Sequence, residues 1–183
     1  MRLLFHGSLA VSLLAGCGAG PALTIHNGTD EAVVVQGLPG QAALRVEAGT
    51  SERVEGLSAL PALVARSPDG RELGRVPGTP LVRGGEAAWS IGGTGCFAEA
   101  DYGSYYAAIE VPAAVELLGA NRPGEPLYVS KGAVDAGPGR RLPARSRGRA
   151  VALVQVPCAA TKAGDAVLRS WLEVKLREIE PAG

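Results

Sequence analysis

The chain is poor in the residues that most often carry catalysis. Of 183 residues only two are histidine, His6 and His26, and aromatic residues make up 4%. His6 falls within an apolar leading segment, so His26 is the one histidine expected in the body of the protein. A site built from several histidines around zinc is therefore excluded, and any Ser-His-Asp arrangement would have a single candidate base. His26 precedes the Asn27 turn, where a surface imidazole needs no catalytic explanation. The chain also lacks a Gly-x-Ser-x-Gly elbow, a phosphate loop and a dinucleotide fingerprint. No loop has the alternating aspartates that calcium requires. Lysine plus arginine balance aspartate plus glutamate at 18 each, so no whole-protein field favours nucleic acid. Neither a cofactor nor a metal is implied.

What is present begins at the N-terminus. Arg2 supplies a positive start, Leu3 to Leu14 an apolar core, and Ala15-Gly16 the small residues that a peptidase groove accepts, followed by Cys17. The run is too short for a spanning helix, which needs about 20 apolar residues. Leu14-Ala15-Gly16-Cys17 resembles the lipobox of bacterial lipoproteins. The resemblance covers Met1 to Gly18 and implies a signal peptide over 1–16, a diacylated Cys17 and a tether over 17–21. The expected partner is a membrane, reached through the lipid. An aspartate after the cysteine favours inner-membrane retention in Gram-negative members of this class. Gly18 stands there instead, which implies an outer-membrane address facing the periplasm. A Gram-positive source would leave only the cytoplasmic membrane.

With Cys17 committed to lipid, Cys96 and Cys158 remain as one pair in an oxidising compartment, and a disulfide is the natural reading. Its loop would stabilise the fold by roughly 4 kcal/mol on the chain-entropy argument. The alternative is two free buried thiols. The CxxC spacing of a redox pair is absent.

Past the tether, turn signals recur at short intervals between apolar alternating runs, which predicts a mainly β protein. Residues 22–92 read as an immunoglobulin-like or transthyretin-like sandwich of about seven short strands. Leu23 and Ile25 share one face of a first strand. The Asn27-Gly28-Thr29-Asp30 turn and Val33 to Val35 suggest its hairpin partner. Leu81 to Arg83 and Glu86 to Ile91 flank Gly84-Gly85 as a second hairpin, with Ala87, Trp89 and Ile91 on one face. Residues 93–183 read as a second, disulfide-clipped β-rich region packed on the first. There Val115 to Leu118 suggests a turn of helix, and Leu127 to Val129 and Val151 to Val156 suggest strands. Gly132 to Arg149 reads as a loop. The C-terminus reads two ways: Leu172 to Arg177 alternates as a closing strand preceded by a short helix at Gly164 to Ser170, while Leu168, Trp171, Leu172 and Ile179 share a helix face. The strand is the favoured reading.

Three groups could carry chemistry. Glu99 and Asp101, two apart on a strand, would point to one side as glycosidase carboxylates might, although such pairs normally sit on separate strands across a cleft. Tyr102, Tyr105 and Tyr106 offer rigid amphipathic area for a glycan or a protein of the envelope, against the alternative that part of the set is core. The run Arg140, Arg141, Arg145, Arg147 and Arg149 offers guanidinium forks to phosphates and carboxylates, or is a solvated loop. It lacks the interleaved aromatics of nucleic-acid binders. The resulting expectation is a lipid-anchored, non-catalytic binding or assembly module of the cell envelope. The competing one is a small hydrolase of envelope polymers using the carboxylates near Tyr102.

Overall fold

A computed structural model describes residues 21–93, 95–103, 115–143 and 149–179. The fold is mainly β, with several sheets. The first sheet orders β12 (Leu127–Val129), β9 (Glu86–Ile91), β1 (Ala22–Asn27) and β4 (Ser51–Val54). The second orders β3 (Leu44–Val46), β2 (Val33–Gln36), β6 (Leu63–Arg66) and β7 (Glu72–Val76). Their facing sides share one apolar cluster: Leu23, Ile25, Ala87, Trp89 and Ile91 from the first sheet meet Val33, Val35, Val46, Leu63, Ala65 and Val76 from the second. Alternation dictates this, because every second residue of a strand points to the same side. A small sheet, β5 (Ala59–Leu60) with β8 (Thr79–Pro80), adds Leu60 to the same core.

The third large sheet orders β11 (Glu116–Ala120), β10 (Gly95–Asp101) and β13 (Val151–Pro157), antiparallel throughout. Cys96, Ala98, Ala100, Ala152, Val154 and Val156 line its outer face. There they pack against α1 (Cys158–Ala163) and α2 (Asp165–Ile179). The opposite face, carrying Phe97 and Leu153, meets Ala88 and Tyr128 of the first sheet. Cys96 and Cys158 are disulfide-bonded at the end of the β10–β13 pair.

Four expectations are corrected. The Asn27 turn exists but does not make a hairpin: β1 pairs with β4 and, in parallel, with β9, while β2 pairs with β3 and β6. The Asn27 amide explains the departure. Its Nδ2 donates to Glu31 O (2.8 Å) and Val46 O (3.0 Å), and its Oδ1 accepts from Thr29 N (3.0 Å), steering the chain into the second sheet. Gly84-Gly85 closes no hairpin either. Gly85 N donates to Val82 O, which centres the turn on Arg83 and Gly84, and the positive φ of 70° at Gly84 gives the type II pattern rather than a primed one. Residues 116–118, read as a helical turn, belong to strand β11. The C-terminus is helical through Ile179, not a closing strand. Leu168, Leu172, Leu176 and Ile179, spaced four, four and three apart, are buried, whereas the Val174 that a strand would have buried beside Leu172 is 68% exposed.

Candidate functional site

The first sheet has two unlike faces. The side turned to the third sheet carries Thr24 and His26 of β1, Arg53 of β4, and Glu86 and Ser90 of β9, because the register aligns Thr24 with Arg53 and with Ala88, Ala22 with Glu86, and His26 with Ser90. Glu86 is 3% exposed. Arg53 Nη2 donates to Glu86 Oε1, and Arg53 Nε to Glu55 Oε1 at 3.0 Å. Burial works against the Arg53 charge, but the hydrogen bonds and attraction from Glu86 and Glu55 outweigh it and hold the guanidinium pKa above its ordinary value.

The segment 130–142 builds the other wall. Ser130 N donates to Glu86 O, and Glu86 N donates to Ser130 Oγ, both at 2.8 Å. Val134 N donates to Gly84 O, Val151 N to Asp135 Oδ2, and Leu153 N to Ala136 O. Leu142 is buried among the helix residues and its N–H donates to Ile179 O. These anchors hold Arg140 and Arg141 at the mouth of a cavity of about 340 Å³ lined also by Arg53, Glu55, Glu86, Asp135 and Gly137. Gly137 lies so close to the ion pair that a Cβ there would overlap Glu86 Oε2 and Arg53 Nη1.

A second cleft, about 300 Å³, opens at the other end of β9. At about 3.3 Å per residue the strand separates the two by roughly 16 Å. Trp89, Ile91 and the Cys96–Cys158 bond line it together with Gly74, Gly92, Gly93, Gly95 and Gly124.

No known family, curated protein or solved structure matches the chain. The chemistry must therefore be read from the residues themselves.

Of the expected site residues, Arg141 lies at the charged cavity, while Arg145 and Arg147 fall outside the described residues, as do Tyr105, Tyr106 and Cys17. Arg149 pairs with Asp101 at 3.2 Å. Tyr102 is fully buried in the cluster between the third sheet and the helices. Its hydroxyl donates to Leu172 O at 3.2 Å, so its ring presents no surface to a ligand. Glu99 is buried as well: its Oε2 accepts from Tyr128 Oη at 2.8 Å and from Lys131 N at 3.4 Å. Burial first, then the bond to Glu99, push the Tyr128 pKa far above its ordinary value. Asp101 Oδ1 accepts from Gly103 N and Ala150 N. Both carboxylates thus hold backbone in place, and neither lines either of the two cavities. Among the described residues no cluster of three or more His, Cys, Asp or Glu could hold a metal, and no helix is long and apolar enough to cross a membrane.

Arg53 and Glu86 are the residues that sequence reasoning missed. Glu86 opens the strand Glu86–Ile91 directly before Ala87, Ala88 and Trp89 and directly after two glycines, which was the one available signal. Arg53, in Ser51-Glu52-Arg53-Val54, has none.

Proposed function

We propose that the protein is an exported, lipid-anchored binding module of the cell envelope, without catalytic activity, which holds an acidic group of its ligand in the arginine-lined cavity. The carrying observation is the convergence of Arg140 and Arg141, held by an anchored loop, with the half-buried Arg53 around one concave site. Guanidinium groups fork onto carboxylate or phosphate, and Arg140 and Arg141 give directional as well as electrostatic recognition beside Arg53, which Glu86 and Glu55 hold in place. The Cys96–Cys158 bond supports an extracytoplasmic address, where disulfides persist. The Leu14-Ala15-Gly16-Cys17 motif supports attachment through Cys17. The apolar cluster shared by two four-stranded sheets supports an immunoglobulin-like or transthyretin-like sandwich for residues 22–92, with β12 added from the second region. The hydrolase reading is the weaker one, because Glu99 and Asp101 are occupied by hydrogen bonds and lie outside the cavities.

The test is calorimetric titration of the full chain with inorganic phosphate and with succinate at low ionic strength. The expected result is saturable binding that weakens as salt screens the charges and falls roughly tenfold or more in the Arg140→Ser, Arg141→Ser double variant. Absence of binding to either probe, or equal binding by the variant, would overturn the reading. Attachment is tested separately by palmitate labelling, which should be lost in Cys17→Ser.

A further inference from the structure

The two ends of the first sheet differ in charge and in what leaves them. β1 runs from Ala22 to Asn27, so its ends lie roughly 16 Å apart. The N-terminal segment joins at the Ala22 end, where Ala22 N donates to Gly85 O and Leu57 N to Pro21 O. Cys17 lies four positions before Pro21, and that length of chain reaches at most about 14 Å when fully extended. A lipid on Cys17 would therefore keep this end within that reach of a bilayer surface and leave the Asn27 end to point away. The exposed side chains follow the same polarity. Near Ala22 stand Val82, 44% exposed, and Arg83, in the turn before Glu86; Lys131, directly after the Ser130 that is bonded to Glu86; and Arg140 and Arg141 at the cavity mouth. Among the described residues Arg83, Lys131 and Arg140 form no ion pair. The acids nearby are engaged: Glu55 accepts from Arg53, and Asp135 Oδ2 accepts from Val151 N. At the Asn27 end the surplus is acidic. Asp30, Glu31 and Glu47 stand there with Arg45 and Arg71, which are paired to Glu47 and Glu31.

We propose that the Ala22 end docks on a bilayer surface carrying anionic headgroups, and that the acidic group held by Arg140 and Arg141 is a headgroup phosphate. Arg83 and Lys131 add charge beside the cavity, and Val82 enters the boundary between headgroups and acyl chains. Guanidinium forks suit the phosphate oxygens, while the Lys131 ammonium acts as a point charge. Attraction to anionic lipid falls off within a Debye length, about 10 Å at moderate salt, and the reach of the tether is of the same order. Attachment and charge thus act on one end of the molecule. The cleft beside Trp89, at the other end of β9, faces away from the membrane. This inference rests on the lipid attachment and the acidic-group reading above, and it gives that acidic group a source.

The experiment uses the full chain, purified in detergent from membranes and reconstituted into vesicles of phosphatidylcholine alone or of an equimolar mixture with phosphatidylglycerol. A polarity-sensitive fluorophore is attached at Val82→Cys or, at the opposite end, at Asp30→Cys, and lipids with brominated chains report contact. In the anionic vesicles the first probe should shift to the blue and be quenched, the second should do neither, and salt should reverse the change. In phosphatidylcholine alone the first probe should respond less. Arg83→Ser with Lys131→Ser should lower the docking equilibrium about fivefold for each cation removed. Both side chains are exposed and neither lines the cavity, so this variant should keep the fold and titrate with inorganic phosphate as the wild type does. If phosphate binds and responds to Arg140→Ser with Arg141→Ser, but the two probes respond alike or vesicle charge makes no difference, the acidic-group reading stands and bilayer docking is wrong. If the first probe docks and responds to Arg83 and Lys131 while neither phosphate nor succinate binds, the docking surface stands and the headgroup in the cavity falls with the acidic-group reading. A chain that does not enter vesicles would overturn attachment and docking together.

Discussion

The two faces of the first sheet are built on opposite terms. One face sends Leu23, Ile25, Ala87, Trp89 and Ile91 into an apolar cluster; the other sends Thr24, Arg53, Glu86 and Ser90 toward a third sheet and a loop. Both are largely out of water, for all six residues of β9 are buried. The apolar face is held by burial and shape, which tolerate conservative exchange. The polar face is held by specific bonds, and all three buried side-chain atoms without a partner among the described residues, Thr24 Oγ1, Arg53 Nη1 and Glu86 Oε2, lie on it. Burying polar groups imperfectly lowers stability, so the difference points to selection for something other than stability on that side.

The contrast can be broken most forcefully from the apolar face. Trp89→Ala should cost about 3–5 kcal/mol, the usual range for deleting a buried large aromatic, and lower the urea midpoint accordingly. A loss under about 1 kcal/mol would mean that the cleft beside Trp89 already leaves its ring loosely packed.

The polar face should respond in a different manner. Glu86→Leu alone should cost about 2 kcal/mol because it leaves the partly buried Arg53 with the exposed Glu55 as its remaining ion-pair partner among the described residues, whereas Arg53→Met with Glu86→Leu should return stability to the wild-type level or above it. Denaturation of the single and double variants decides this. If the double variant is as unstable as the single one, the ion pair contributes net stability, and the distinction between the faces loses its energetic basis.

The smallest effect should come from His26, half-buried on the polar face with its Nδ1 3.0 Å from Ser51 Oγ. Burial lowers its pKa below the ordinary 6.5, opposed by the Thr50 backbone bond. The unfolded chain therefore takes up the proton first as pH falls. The stability contributed by neutral His26 is full above pH 6.5 and declines as pH drops from there through the lower folded value. Comparing urea midpoints at about pH 7.5 and about pH 5.5, His26→Gln should show a shallower pH dependence than the wild type. An identical slope would place the imidazole in a water-like setting.

How legible this was in the sequence follows the same division. Alternation in Ala87, Trp89 and Ile91 marks a buried strand face, and Leu127 to Val129 and Val151 to Val156 read as the strands they are. The cysteine count led to the Cys96–Cys158 bond. Partner choice was not legible. β1 lies parallel to β9, some sixty residues away, and local turn signals at Asn27 and Gly84-Gly85 favour nearer partners that the chain does not take. The C-terminal Leu172-Glu173-Val174-Lys175-Leu176 fits periods of two and of 3.6 alike, and only the packing of Leu168 and Ile179 separates them. The candidate site was half visible: Arg140 and Arg141 stand out as charge, but Glu86 and Arg53 look like ordinary surface residues until the loop around Gly137 closes over them.

The bond between Cys96 and Cys158 has a topological consequence. Together with the backbone between them it closes a covalent ring, the two cysteines being 62 positions apart, with β1 to β9 in one tail and α2 within the other. A protease that cuts once inside the ring cannot shed a fragment, so a nicked molecule keeps its full mass until reductant is added. The loop bearing Arg140 and Arg141 lies within the ring, and so a cut there leaves both ends tied to whatever holds the N-terminal tail.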